Sequence, residues 1–600
     1  MRRHLTRLFL ALALGTLPVL LGVAAVLLHT QPGLAVMARV TADRLSRLLR
    51  GHFEVGAISG SVLSDVVLTD VVVRDTAGAL VASLPRVRAR YLLASLLARR
   101  VVLYHLELDR PEVHLTKRRS GRMNYEEVLK LGESPPGGPA GPLVEFRDVW
   151  IRGASLEVSI PWSPSPDSGR TPDAAARALA RDRAQPGRVI EDSPDGLHRL
   201  IRFQPLTVHF LRLRIATPDH QPLAFELDTL ATVVSDPAIT VTDLVARGWT
   251  KGDSLDFTVI RGALPGTRVR GGGAVTWPRH VPLFDFAFVA PTVDLVDLRW
   301  VSAGFPAMQG RARLEARGET DRRTAYAVPE LELSGPQGTI RGGVTVVVDQ
   351  DRGLGVRDMH LDLDSFDLAV ARFYVPALPF EGRLSGPVSG RGYFTDLDLD
   401  LDWRYADSRV AGGAENAVSL AGHVLIDSRT GLSFGQASLR SADLDMRTVR
   451  LTAPAARLDG RLTAAGTLNG LLANVAFDGT VEHRDGARPS SRAQGRARLD
   501  TRKPDPVFDV DVTLDPLAFD GIRGSFPGLT AVGDLAGPLR LTGTLDHLAV
   551  HGDLHGALGR IRADGVVTLQ PPHYGADGLV LDFGNLDLSM LAPGAPATQL

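Results

Sequence analysis

Three constellations in this chain have residue types and spacings that chemistry uses. Gly431, Leu432, Ser433, Phe434 and Gly435 match the G-x-S-x-G spacing of a hydrolase nucleophile elbow. Such an elbow needs a strand before the serine and a helix after it. The following residues, Ala437-Ser438-Leu439-Arg440-Ser441, keep strand character, so the match reads as a Gly- and Ser-rich hairpin. His547, His551 and His555 recur at every fourth position, a zinc-binding spacing on one face of a helix. Gly552 and Gly556 break such a helix, and on a strand the three rings would stand far apart. Asp398, Asp400 and Asp402 offer oxygens to calcium, but calcium needs its ligands wrapped around it by a loop. A solvated sheet face accounts for that ladder better. Walker A, H-E-x-x-H and Rossmann patterns do not occur. The sequence assigns no catalytic, cofactor-binding or metal site, and the chain reads as a non-enzyme.

Composition narrows the classes further. Net charge is −1 with acids and bases interspersed, which leaves no electrostatic footprint for nucleic acid. With Cys 0, disulfide scaffolds and thiol chemistry are excluded. Gly 61 and Pro 39 suit a chain of many short strands and turns.

The elements that dominate are strands with strict alternation. Leu361 and Leu363, then Leu397, Leu399 and Leu401, alternate with Asp362, Asp364, Asp398, Asp400 and Asp402. Phe508, Val510, Val512 and Leu514 alternate with Asp509, Asp511, Thr513 and Asp515. A period of two sets every aliphatic side chain on one face and every carboxylate on the other. One-sided alternation of this kind predicts antiparallel sheet with one wet face. Superposed on it is a longer period: Pro306, Pro379, Pro454 and Pro527 are spaced by 73, 75 and 73 residues. Each is followed within a few residues by a glycine and a leucine-bearing strand. A fixed period marks a copied unit whose stacked copies bury a surface that none could bury alone. At roughly 11 residues per strand and turn, about 450 residues would make about 40 strands, on the order of 190 Å if stacked in one sheet.

The N-terminus reads differently. Arg2, Arg3 and Arg7 precede an apolar run carrying Leu8, Leu12, Leu20 and Leu28. Its length, about twenty residues, matches a helix crossing a bilayer. A cleaved signal peptide is the competing reading; its apolar region would be too long. The arginines predict a cytoplasmic N-terminus and a bulk outside, which in a diderm bacterium means the periplasm. The organisation predicted is a cytoplasmic tip and anchor over 1–29, a basic amphipathic helix over 30–51 and a β region over 52–160. A disordered or poorly ordered insertion follows over 161–198, with a possible short helix in DAAARALARDRA. Further strands fill 199–290, and repeats of about 73 residues fill 291–600, a fifth opening at Asp582-Phe583-Gly584.

Three blocks carry a resemblance. Residues 56–115 (GAISGSVLSDVVLTDVVVRDTAGALVASLPRVRARYLLASLLARRVVLYHLELDRPEVHL), 264–278 (LPGTRVRGGGAVTWP) and 293–318 (VDLVDLRWVSAGFPAMQGRARLEARG) resemble the N-terminal portion of the TamB family, in the AsmA-like superfamily. YhdP and YdbH are sister members. The anchor, the helix and these blocks occur in the family's order. The resemblance implies an inner-membrane-anchored, single-pass periplasmic protein built as a long curled β-sheet, a β-groove or β-taco. Its concave face is hydrophobic and conducts phospholipid between inner and outer membranes in support of outer-membrane biogenesis. It also implies an outer-membrane barrel partner of TamA or BamA type. An alternative function is a scaffold or chaperone for outer-membrane β-barrel proteins and autotransporters. Family members are usually longer and end in a C-terminal domain, which puts engagement of that partner by these residues in doubt.

The physics leads to the same expectation without the family. Aromatic residues make up only 6% of the chain, and the apolar strand positions are mainly Leu, Val and Ala. A sheet curled into a trough lined this way leaves room for acyl chains, each buried CH₂ contributing about 0.8 kcal/mol. Moving such a chain along the trough exchanges one apolar environment for another and needs no nucleotide site. Leu361, Leu363, Leu397, Leu399, Leu401, Phe508, Val510, Val512 and Leu514 are the candidate lining.

Overall fold

The computed structural model describes residues 51–598, except 62–63, 93–99, 129–142, 165–170, 217–221, 252, 278–282, 321, 455, 570–574 and 593. The anchor expected over 1–29 lies outside the described residues, as does the helix expected over 30–51, apart from Gly51. Among the described residues no helix is long and apolar enough to cross a membrane. The protein is mainly β, with thirty strands among the described residues against the forty expected, many of them running well beyond ten residues. It divides into two compact units between Ala303 and Gly304.

The first unit runs from the strand His52–Ser61 to the strand Leu283–Asp294, followed by a 3-10 turn at Leu295–Leu298. Its pairing is not wholly antiparallel. Arg100–Asp109 and Glu112–Thr116 each lie parallel to the long strand Leu143–Pro161. The expectation of a purely antiparallel sheet is therefore corrected here. A chain that leaves Thr116 and returns at Leu143 has the dozen or more residues a parallel crossover needs.

The insertion expected to be disordered over 161–198 is also corrected for its described residues. Thr171 Oγ1 accepts from the Ala174 amide and caps the helix Pro172–Arg183. The hairpin Val189–Ser193 with Gly196–Ala216 follows. Buried Asp236 holds it down, accepting from Arg188 Nε at 2.9 Å and from Arg199 Nε at 2.5 Å. Trp162 Nε1 donates to Asp182 Oδ2 at 2.8 Å and ties the helix back to the sheet. Local alternation is weak in this stretch because ion pairs to distant residues, not a greasy face, order it.

The second unit is a meander of sixteen strands from Gln309–Gly318 to Gly575–Gly584, every consecutive pair antiparallel. Four strands and a short helix make one repeat, the helices being Leu368–Tyr374, Met446–Thr452, Phe519–Ile522 and Leu588–Leu591. The repeating prolines follow the first three helices, and Pro306 follows the 3-10 turn. Aspartates explain where three helices start. Asp367, Asp445 and Asp587 each accept from the amide two residues ahead, an N-cap that stops the strand and turns the chain. Asp294 does the same for the 3-10 turn. Asp582 and Phe583, read from sequence as the start of a fifth repeat, instead lie in the last strand of the fourth, opposite Arg562 and Ile561.

The last strand of each repeat also carries irregularities. Register shifts occur in Gly353–Asp367, Gly431–Asp445, Val507–Ala518 and Gly575–Gly584, with Asp358, Ser365 and Gln436 at positive φ. Bulges bend a strand and raise its twist, so a sheet bulged at regular intervals curls. Glycine contributes to the local bend: Gly386 has φ 127°, and a β-carbon there would lie 2.1 Å from the Asp402 carbonyl oxygen. The main core sits in the first and second repeats of the unit.

Candidate functional site: apolar rows across the sheets

Antiparallel register decides which distant residues become neighbours. Followed through all sixteen strands of the second unit, one row of cross-strand partners runs Ala316, Tyr326, Val346, Val356, Gly392, Leu397, Val424 and Phe434. It continues through Gly470, Val475, Leu499, Phe508, Gly543, Leu548, Val567 and Ala576. A second row on the same face runs Ala312, Leu331, Gly342, Leu361, Val388, Leu401, Leu420 and Leu439. It goes on through Gly466, Gly479, Gly495, Val512, Leu539, Gly552, Ala563 and Leu581. Neither row contains a charged side chain, and Tyr326 brings the single hydroxyl. Shorter stretches lie between them: Gly390, Leu399 and Gly422 in one place, Ala497, Val510, Leu541 and Val550 in another. Leu363 and Leu514 lie on a further flank, beside Gly386 and Gly537. At about 4.8 Å per strand, fifteen steps give each full row a length of roughly 70 Å.

The nine lining residues named from sequence fall onto these rows. Leu397 and Phe508 share the first row, Leu361, Leu401 and Val512 the second. Leu399 and Val510 lie between the two rows, Leu363 and Leu514 on the flank beyond the second. Leu363, Leu397, Leu399, Leu401 and Leu514 are buried, while Leu361, Phe508, Val510 and Val512 are half-buried.

The opposite face is a charge ladder. Asp478, Arg496, Asp511, Arg540, His551 and Asp564 are successive cross-strand partners, and acid and base alternate as far as Arg540, with His551 then facing both Arg540 and Asp564. Opposite charges directly across a pair favour that register. His551 Nδ1 lies 2.7 Å from Asp564 Oδ2, which gives this histidine a partner in the ladder. His547, His551 and His555 sit on the strand His547–Gly556, not on a helix. Asp400 accepts from Arg440 Nη1 and Nη2 at 3.0 and 2.6 Å, and that hydrogen bonding holds its carboxyl below the usual range. Ser433 lies within the strand Gly431–Asp445, paired with Leu425 and Leu471, where no elbow forms.

The first unit has its own apolar row. Gly60, Val66, Ala89, Leu106, Val149 and Phe210 are successive partners, followed by Leu227, Ala246, Val259, Gly271 and Phe288. Phe257, Phe284, Phe286 and Phe288 gather with ring centroids 5.0–6.4 Å apart.

Two polar constellations escaped the sequence reading because their members are far apart in the chain. On the first unit's other face His209 Nδ1 is 2.9 Å from Asp228 Oδ2 and Nε2 is 3.0 Å from Asp148 Oδ1. Trp150 stacks on the ring at 3.8 Å. The His105 contact, then those of His209 and Trp150, hold the Asp148 carboxyl below its ordinary range. In the second constellation Ser159 Oγ is 2.9 Å from His198 Nδ1, and His198 Nε2 is 2.7 Å from Asp195 Oδ1. Serine, histidine and aspartate thus line up, but His198 is 1% exposed. A substrate carbonyl has no approach to that ring, and the trio braces the hairpin.

Comparison with protein-family models, with curated proteins and with solved structures yields no match for this chain.

Proposed function

We propose that the apolar rows are a binding track for lipid acyl chains and that this protein conducts phospholipid along it. The observation that carries the reading is the uninterrupted register. In the second unit sixteen consecutive strands contribute an apolar residue or glycine to each full row, while the opposite face carries the acids and bases. A folding core needs apolar residues only where it is covered. An apolar row that stays continuous while half-buried, as at Val475, Leu499 and Phe508, suits a surface that meets a mobile apolar ligand. Each acyl methylene withdrawn from water contributes about 0.8 kcal/mol. A step to the next strand exchanges like for like, so transfer along the row is close to isoenergetic.

The wider setting belongs to the same proposal. The resemblance of 56–115, 264–278 and 293–318 to the TamB family supports an inner-membrane anchor at Leu8, Leu12, Leu20 and Leu28. It supports a periplasmic bulk and a curled groove that bridges two membranes with an outer-membrane barrel as partner.

Placing a charge on the track tests the reading. The full chain is purified from membranes, and bound phospholipid is extracted and quantified for wild type, Val510→Asp, Val512→Asp and the outer-face control Thr513→Asp. The track variants are expected to lose bound lipid while the control keeps it. Equal lipid in all four would remove the acyl-track reading.

A further inference from the structure

The rows are chemically uniform along the second unit, but their burial is not. In the strands from Gly353–Asp367 to Gly431–Asp445 the row residues collapse into one core. There Leu397 is 2% exposed, Val424 3% and Ala437 0%. The same cluster takes in Leu368 and Ala371 of the helix Leu368–Tyr374 and Phe380 beyond it, which cover this part of the face. Further along the same rows Val475, Leu499, Phe508, Val512 and Leu541 are all half-exposed, and only Leu514 and Leu548 of the named row and flank residues are buried, with Ala518, Leu535 and Leu558 buried beside the repeat ends. The alternation in sequence is the same in both stretches. What differs is whether the face is covered.

Two buried latches lie in the closed stretch. Asp407 accepts from Arg409 Nε and Nη2 at 2.9 and 2.7 Å and from the Tyr405 hydroxyl. Burial alone would raise this carboxyl, yet Arg409 and Tyr405 hold it well below the usual range. Asn416 donates to Thr448 Oγ1 at 3.2 Å and accepts from the Asp445 amide at 2.8 Å, fastening the strand to the helix Met446–Thr452.

We infer that the second unit is divided into an acyl-accessible stretch over 461–568 and a dry constriction over 353–445. The constriction admits a chain only when its cover moves aside. This rests on the acyl-track reading and deepens it by saying where along the track a chain resides and where passage is limited. Moving the cover replaces cover-to-sheet contact by chain-to-sheet contact, so a ligand can drive it. The unliganded protein holds the closed form. Apparent affinity in that stretch is then reduced by the fraction of molecules that are open, in direct proportion.

The test uses the purified full chain and palmitic acid carrying a terminal diazirine. After irradiation at limiting probe, labelled positions are mapped by mass spectrometry of peptides. Labelling is expected over 475–514 and 539–550, with about tenfold less over 397–439 if one molecule in ten or fewer is open. Leu420→Ala, or separately Val424→Ala, is expected to raise labelling over 397–439 while leaving 475–514 unchanged. Equal labelling of both stretches in the wild type would overturn the constriction and leave the acyl track standing. Labelling nowhere along the rows would overturn the acyl track, and the constriction with it.

Discussion

Replacing Leu397 by alanine should loosen the closed stretch far more than the same truncation loosens the open one. Leu397 is 2% exposed and sits between Gly392 and Val424 on its row. Gly392 has no side chain to move into the space, and Val424 is held by the same core. Buried Leu→Ala changes cost about 2.7–5 kcal/mol, increasing with the cavity that remains. With a glycine on one side the site cannot collapse well, so about 4 kcal/mol is a fair central value. At about 1.4 kcal/mol per factor of ten, that accelerates hydrogen exchange by local opening by roughly a thousandfold. Val510 is half-exposed, so Val510→Ala loses part of a small side chain, about 1 kcal/mol and about fivefold in exchange. Hydrogen exchange with mass spectrometry on the full chain reads both, using peptides over 396–402, 420–424 and 507–514. Because repeat units contact only their neighbours, the Leu397→Ala effect should fade before the strand Asp534–Thr544. If the two variants accelerate their peptides to within tenfold of each other, or if Leu397→Ala loosens Asp534–Thr544 equally, the reasoning from burial fails.

Three further outcomes are expected. Gly386→Ala demands a left-handed backbone of an L-residue and drives its β-carbon against the Asp402 carbonyl oxygen, so thermal unfolding of the second repeat should move down, by about 1–3 kcal/mol for the backbone alone; an unchanged melting curve would show that the bend does not depend on this glycine. Hydrogen bonding from Arg357, with Arg323, holds the Glu319 carboxyl at about 2, against an ordinary value of 4.5. A depressed folded-state value stabilises above the unfolded value, so this contribution should be present above pH 4.5 and disappear as pH falls from there toward 2; Glu319→Gln should flatten the acid side of the stability curve, and an unaltered slope would contradict it. Asp236→Ala removes the acceptor shared by Arg188 and Arg199, and limited proteolysis should then cut within 184–195 much faster while the strand Gly196–Ala216 stays protected; wild-type cutting rates would show that other contacts order the insertion.

Much of the second unit was legible before any coordinates. Alternation at Leu397, Leu399 and Leu401 and at Phe508, Val510 and Val512 marks strands and assigns their faces, because side-chain direction in a strand depends only on local geometry. The proline period anticipates the four-strand repeat. One further signal was present and overlooked: aspartate ahead of an apolar residue, at Asp294, Asp367, Asp445 and Asp587, marks the capped turn at the end of the first unit and of three of the four repeats. The insertion was legible only in the short helix of DAAARALARDRA, found as Pro172–Arg183. Its order rests on Asp236, tens of residues away from Arg188 and Arg199, and no window along the chain shows that pairing. The parallel crossover around Leu143–Pro161 was equally hidden, since alternation does not reveal strand direction.

By itself the sequence determined that this chain makes two-faced strands in a repeating order, because period-two patterning and turn residues act over a few neighbours. Tertiary structure decided the register that joins Leu361, Leu401 and Val512 into one row, since those partners meet only through successive strand pairs. It also decided that Leu397 is sealed while Val510 stays half-open. Both residues sit in the same alternating pattern, and what covers Leu397 comes from elsewhere in the chain, Leu368, Ala371 and Phe380 packing on its cluster.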